Sequence, residues 1–519
     1  MLQPYTGPWN FEQAAHLLRR TTFGPNKARI QQALDEGLEG TFQTLFSDPT
    51  PRDLPVYYDF DLDPQAGLGE TWVGKPVDDS IPDIYFSRFK TVYNWWLRGM
   101  RQDNQTITER LTLFWHNHFV ISDAGTPNMN WKYLSLLREF GLGDFRELTK
   151  RITIDQSMLI YLNGTQNFKD EPNENFAREL LELFTIGKGP LAGPGDYTNY
   201  TEQDIAAIAR ALTGWFAWVQ VPEPAQFWVW NHDTGTKQLS HRFDNQVIQN
   251  AGAEEYKNVI DIIFEKEEVS RHICRRLYTW FVYYDLNPAI EAEVIEPMAQ
   301  ILRDNDYNIQ PALEALLRSQ HFFDSAMQGC MIKNVFEYFF SVFNTWNVSI
   351  PEDYAEEQAM WLIFHFDLLE LGMGVFNLPS VAGWTAYHQA PVFYRDWITS
   401  ASVALRTELI TKINGIIGFA SPGHIGIDLL AIIQDMDNPS DVNSLIHELG
   451  RLYYPRPMTD AQHDYFKEAL IPGLPDFEWT VEYEEYLANP NNQMIRQTIE
   501  LKLLGLFFAL ITVPEYQLM

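Results

Sequence analysis

Two histidines, two residues apart, are the first groups in this chain suited to chemistry. They stand in Glu109-Arg110-Leu111-Thr112-Leu113-Phe114-Trp115-His116-Asn117-His118-Phe119. Neutral imidazole is the commonest metal ligand and the acid–base group of physiological pH. Within a helix such positions point to nearly opposite sides, so His116 and His118 share one ion only if the helix ends near Asn117. Otherwise one faces a site and the other packs. Taken alone, the two fit a hydrogen-bonded core pair better than a site.

Three further segments carry polar groups in suggestive patterns. In Asn173 to Gly187, the residues Asn175, Arg178, Glu179 and Glu182 share one helix face, and Phe176, Leu180, Leu183 and Phe184 line another. Such a polar face holds a metal, a general base or an anion, or is simply solvated. In Trp230-Asn231-His232-Asp233-Thr234-Gly235-Thr236-Lys237, Asp233 is placed to ligate an ion or orient an imidazole. Lys237 is placed to neutralise an anion, and the same residues also make an ordinary hydrophilic turn. Asn377 to His388, reaching Tyr394, Arg395 and Trp397, is rich in Gly, Pro and aromatics and includes Trp384. It reads first as a plug between helical halves and second as a loop covering a site.

The elements that must position these groups are mostly helical. Asn26 opens a helix that stops at Gly37. Pro82 to Met100 shows an aromatic face of Tyr85, Phe86, Phe89, Tyr93 and Trp96. Thr106 to Glu109 reads as a capping box before the histidine helix, and Thr201 to Asp204 as a similar one. Further helical patterns cover 254–265, 270–284, 289–304, 309–319, 353–371, 399–417, 438–452, 459–471 and 494–513. Strand signals are scarce: Phe216–Val221 and Gln226–Trp230, joined through Pro222-Glu223-Pro224, suggest one hairpin. Pro49 to Ile81 and Gly372 to Trp397 lack periodicity, as functional or wrapping loops do. The fold class is therefore mainly α, a large multi-helix bundle with one short β-hairpin near 216–230.

Composition narrows the partners. The 519 residues carry a formal net charge of −31. That argues against nucleic acid and against an anionic membrane surface, both of which require concentrated cations. Hydrophobic residues reach 45%, enough for a large core, and two cysteines exclude a disulfide scaffold or a Cys-rich metal site. No phosphate-binding Gly-rich loop, HExxH or GxSxG signature occurs. The most apolar stretch, Leu503 to Val513, falls short of the about 20 residues needed to span a bilayer. With no leader in view the chain reads as cytoplasmic, or exported if a leader has been removed.

The motifs together resemble a bacterial family called "domain of unknown function 1800". The resemblance rests on His16-Leu17-Leu18-Arg19-Arg20-Thr21-Thr22-Phe23-Gly24-Pro25, on the segments around His116, Glu179 and His232, and on Tyr200 to Trp215. Val381-Ala382-Gly383-Trp384 and Pro514-Glu515-Tyr516-Gln517 complete it. It implies a mostly helical protein over nearly the whole chain and assigns no activity. With motifs from His16 to Tyr516, residues 1–519 are expected to form a single helical unit. It could divide into a motif-bearing sub-bundle, 1–330, and a C-terminal one, 331–519.

Two functions follow. In the first, three elements converge on one pocket. His116, His118, Glu182 and His232 would hold a divalent Zn, Mn or Fe ion. His118, Glu179 and Asp233 would act as catalytic groups, and Arg178, Lys237, Asn175 and Trp384 would bind substrate through a small anionic group. Metal-assisted hydrolysis is the leading chemistry, with an iron oxygenase as an alternative. In the second, these residues form a buried polar network, and the aperiodic loops present aromatics to a protein or glycan partner.

Overall fold

The structure, a computed structural model, describes residues 1–519 except 50, 60–62, 104, 123–124, 219–223 and 420–426, and only the backbone of 414–419. It is mainly helical. Asn10 opens α1 (Phe11–Thr21), its side chain accepting from the N–H groups of Glu12 and Gln13. Asn26 does the same for α2 (Lys27–Leu45). Gly37, the expected stop, takes φ +69° and kinks the chain, and helix resumes beyond it.

Next come α3 (Ile84–Gln102) and α4 (Thr108–His118). Trp96 of α3 is buried, but Phe86, expected on the same aromatic face, is 45% exposed. Lying two residues after the buried Ile84, it points the other way. The capping box expected at Thr106 does not form. Its Glu109 is buried and instead accepts from Arg52, from Arg138 Nε at 2.7 Å and from Trp96 Nε1 at 2.9 Å. Two guanidinium groups outcompete one backbone N–H for a desolvated carboxylate.

α5 (Pro127–Phe140), α6 (Phe145–Thr153) and α7 (Gln156–Tyr161) start on the capping side chains of Thr126, Asp144 and Asp155. α8 (Asn175–Glu179) runs into a π turn over Leu180–Thr185, a break the sequence pattern does not announce. The capping box of Thr201 and Asp204 does form, at the start of α9 (Glu202–Ala211). α10 (Glu255–Phe264), α11 (Glu267–Phe281), α12 (Pro288–Ile290), α13 (Glu296–Asp304) and α14 (Ile309–Leu317) follow. Every residue of α15 (Val335–Thr345) is buried, so it has no amphipathic stripe and escapes a reading based on periodicity. The chain ends through α16 (Tyr354–Glu370), α17 (Ser400–Phe419), α18 (Leu429–Gln434), α19 (Val442–Tyr453), α20 (Asp460–Leu470), α21 (Phe477–Ala488) and α22 (Gln493–Thr512). Among the described residues no helix is long and apolar enough to cross a membrane.

The strands are shorter than expected. Trp215–Phe216 pairs with Gln226–Phe227, and Val229–Asn231 is a 3-10 turn. The connection's Pro222 and Glu223 lie outside the described residues. Leu191–Gly193 pairs with Asp196–Tyr197, and Lys237–Gln238 with Val247–Ile248.

Both aperiodic segments wrap over helices. Asp63 and Trp72 of the first bind α3: Asp63 takes a fork from Arg88 at 2.8 and 3.1 Å, and Trp72 Nε1 donates to Thr91 at 2.9 Å. The second lies across α4. Trp384 N donates to Asn117 Oδ1 at 2.8 Å, and Phe376 N donates to His116 Nε2 at 3.3 Å. Gly383 has φ +88°, and a Cβ there would stand 2.3 Å from Asn117 Oδ1. Replacing Gly383 by Ala should destabilise the protein by about 2–4 kcal/mol, combining left-handed strain with loss of this seat. Urea unfolding measures it; a change below about 1 kcal/mol would show that the loop is not anchored on α4.

Candidate functional site

α4 delivers both histidines to its C-terminal end, where burial is complete. His116 Nδ1 lies 3.2 Å from the Tyr133 hydroxyl, which donates to Phe119 O at 2.5 Å. Because Nε2 accepts from Phe376 N, the proton belongs on Nδ1. Burial pushes this imidazole down to about 3. Both of its nitrogens are therefore committed to protein groups.

His118 differs. Its Nε2 donates to Phe184 O at 3.0 Å, while Nδ1 is buried without a partner. His272 of α11 makes the matching bond, Nε2 to Leu183 O at 3.0 Å. Two imidazoles thus cap consecutive carbonyls at the π turn. The chain leaves at Gly187, where φ is +70° and a Cβ would sit 2.8 Å from His272 Nδ1. Each ring carries its proton on Nε2, so Nδ1 keeps a free lone pair.

Arg276 stands one helical turn after His272. Among the described residues no acceptor or carboxylate pairs with its guanidinium. Protein surrounds it closely enough that burial alone lowers it to about 10, yet it keeps partial solvent access. Burial first, then the Arg276 charge, holds His118 well below the usual imidazole range and His272 at about 4. The exposed ring of His388, on the loop over α4, is lowered by the same two causes. One turn further along α11, Trp280 stacks on Tyr387 with centroids 4.2 Å apart. One cation and three imidazoles thus meet where α4, α11 and the 372–397 loop converge.

The other expected residues form separate networks. Arg178 is forked to Glu202 at 2.9 and 2.8 Å and reaches Glu174 at 3.2 Å. Asn175 donates to Leu162 O. Glu182 accepts from Tyr200 at 3.0 Å and from Lys188 at 3.4 Å. Glu179 has no hydrogen-bond partner among the described residues, and burial, then Glu182, raises its carboxyl. His232 faces acceptors on both sides, Thr213 O at 2.9 Å and Glu255 Oε2 at 3.0 Å. Lys237 binds Glu255 Oε1 at 2.5 Å, and Arg210 binds Asp233 at 2.6 Å. Among the described residues no hydrogen bond or ion pair joins the His232 network to His116 or His118. No group of three or more His, Cys, Asp or Glu side chains there is arranged to hold a metal ion. An ion at His116 or His232 would have to displace the bonds just described.

Residues outside the expected set matter here. His272 and Arg276 were legible as an i,i+4 pair on one helix, and Glu255 sits in a helix of otherwise ordinary polarity. Asp155, the cap of α7, is raised by burial to about 7 and influences Tyr133.

Fold and site define a mainly helical protein in which one partly exposed cation and three imidazoles gather beside a buried polar helix. The profile of a family described as proteins of unknown function, DUF1800, matches residues 16–518, and the chain belongs to that family. No curated protein and no solved structure matches it.

The buried imidazoles set a pH dependence. Unfolded, they titrate near 6.5. Folded, His16 and His116 titrate at about 3, and His272 and His365 at about 4. Between those values the unfolded chain binds more protons, so stability rises with pH. Asp155 acts oppositely: its folded value lies above the unfolded one, and it withdraws stability as pH rises towards 7. The imidazoles outnumber it. The urea midpoint should fall as pH drops from 6.5 to 5; a level or rising midpoint would show that these rings are not held neutral.

Proposed function

We propose that this protein binds a small anionic group, carboxylate or phosphate, at Arg276, with His118 Nδ1 accepting a hydrogen bond from a hydroxyl on the same ligand. The observation that carries this reading is the unpaired guanidinium. A desolvated cation without a counter-charge is destabilising, and an anion supplied from outside would relieve it. The net charge of −31 makes an accidental anion trap improbable by composition, so the local arrangement is specific. Hydrolysis at this site would use Arg276 to steady the developing negative charge. It requires none of the nitrogens that His116 and His232 have already committed.

Inorganic phosphate and acetate are the probes. Calorimetry should show binding to the wild type that weakens at least tenfold in Arg276→Met, about 1.4 kcal/mol. The same variant should melt at an equal or higher temperature, because it removes an uncompensated buried charge. A lower melting temperature with unchanged anion binding would make Arg276 structural and end the proposal.

A second reading, a glycan partner, rests on the hairpin. Trp218 and Trp230 are 47% and 63% exposed, and Trp228 lies between them, 5.7 and 5.3 Å from their centroids. Phe216 backs this ladder, stacked on Trp228 at 4.1 Å. Exposed tryptophans in series offer flat faces to sugar rings. Affinity electrophoresis in gels containing neutral polysaccharides should show retardation of the wild type and of Arg276→Met, and none of Trp230→Ala. Equal mobility of all three with and without polysaccharide would remove this reading.

A further inference from the structure

A second basic side chain has no carboxylate in ion-pair contact among the described residues, and its chemistry differs. Lys333 is 5% exposed and reaches a small cavity shared by α1, α15, α19 and the C-terminal turn. Its Nζ donates to Ser341 Oγ at 3.4 Å and lies 3.9 Å from the Tyr516 ring centroid. Among the described residues no carboxylate is within ion-pair distance. Glu337 faces it, but Glu337 is already bound by Arg110 and by Asn334 N at 2.6 Å. Arg19 and Arg406 add positive charge within electrostatic range. Burial first, then Arg19, holds this ammonium well below the usual lysine range. That lowering favours the neutral, nucleophilic form of the amine in this environment.

We propose that Lys333 is a site of reversible carbamylation by carbon dioxide. The cavity has room for roughly one or two water-sized groups, which admits a linear triatomic molecule and excludes larger carbonyl compounds. The Nζ lone pair attacks the carbon and forms an N–C bond. One C=O π pair moves to oxygen, and a proton leaves nitrogen for solvent. The product, R–NH–COO⁻, brings negative charge into a cavity that Arg19 lines, with Arg406 within electrostatic range. Nothing is oxidised or reduced, and acid reverses the step by protonating nitrogen and releasing carbon dioxide.

The full-length protein equilibrated with ¹³C-bicarbonate provides the test. A protein-bound carbamate ¹³C resonance should appear, disappear on acidification, be absent in Lys333→Met, and weaken in Arg19→Gln. Should Lys333→Met fail to fold, trapping the carbamate on the wild type with a trialkyloxonium reagent and mapping it by peptide mass spectrometry answers the same question. No resonance and no trapped adduct in the wild type, or an adduct mapped only to another amine such as the N-terminus, would overturn the proposal.

Discussion

A polar helix buried on every side is the constraint from which the rest of this structure follows. All residues of α4 from Thr108 to His118 are buried, including Glu109, Arg110, His116, Asn117 and His118. An unpaired buried polar group costs about 1–3 kcal/mol, and an unpaired charge more, so most of these groups draw partners from elsewhere in the chain. Glu109 draws in Arg52 and Arg138, and Arg110 takes Glu337 from α15. His116 and Asn117 together pin the 372–397 loop. The helix works as a hub because its sequence is too polar to be buried alone.

One consequence reaches the π turn after α8. Helix ends leave carbonyls without partners, and π turns mark places where a regular ladder gives way to another demand. Here the demand is met by His118 and His272, which donate to Phe184 and Leu183. That donation fixes both tautomers, and with them the direction of the remaining lone pairs. Ring nitrogens that close helix ends are unavailable as ligands. Those left over, together with Arg276, give the site its character: one strong donor and several acceptors with no charge of their own.

Much of this was legible in the sequence, and the failures have physical causes. Helices with caps and stripes, such as α9 and α20, follow from local rules that act within a few residues. α15 does not, because a helix buried all round has no stripe. The motif residues were legible as polar groups out of place, but not which of them would meet. His116, Arg178 and Lys237 found partners far along the chain, in Phe376, Glu202 and Glu255. Ion pairing across tertiary structure leaves no periodic trace. The capping box at Thr106 shows the same limit from the other side: a sound local signal lost to two arginines that a local reading cannot see.

Arg276 and Lys333 show how one physical problem leads to two outcomes. Both are basic groups that, among the described residues, have no carboxylate in ion-pair contact. A guanidinium delocalises its charge and holds its proton so firmly that even burial leaves it ionised at neutral pH. It therefore remains an electrostatic debt that only an incoming anion can cancel. An ammonium concentrates its charge and solvates strongly, so burial lowers its pKa and favours the neutral, nucleophilic form. Exchanging the two residue types would invert the chemistry at each place. The first site would lose its fixed charge, and the cavity at Ser341 and Tyr516 would hold an ion too large and too costly for it. The residue types match their surroundings in opposite ways, which ties the two proposals to specific side chains and separates both from a surplus of basic residues.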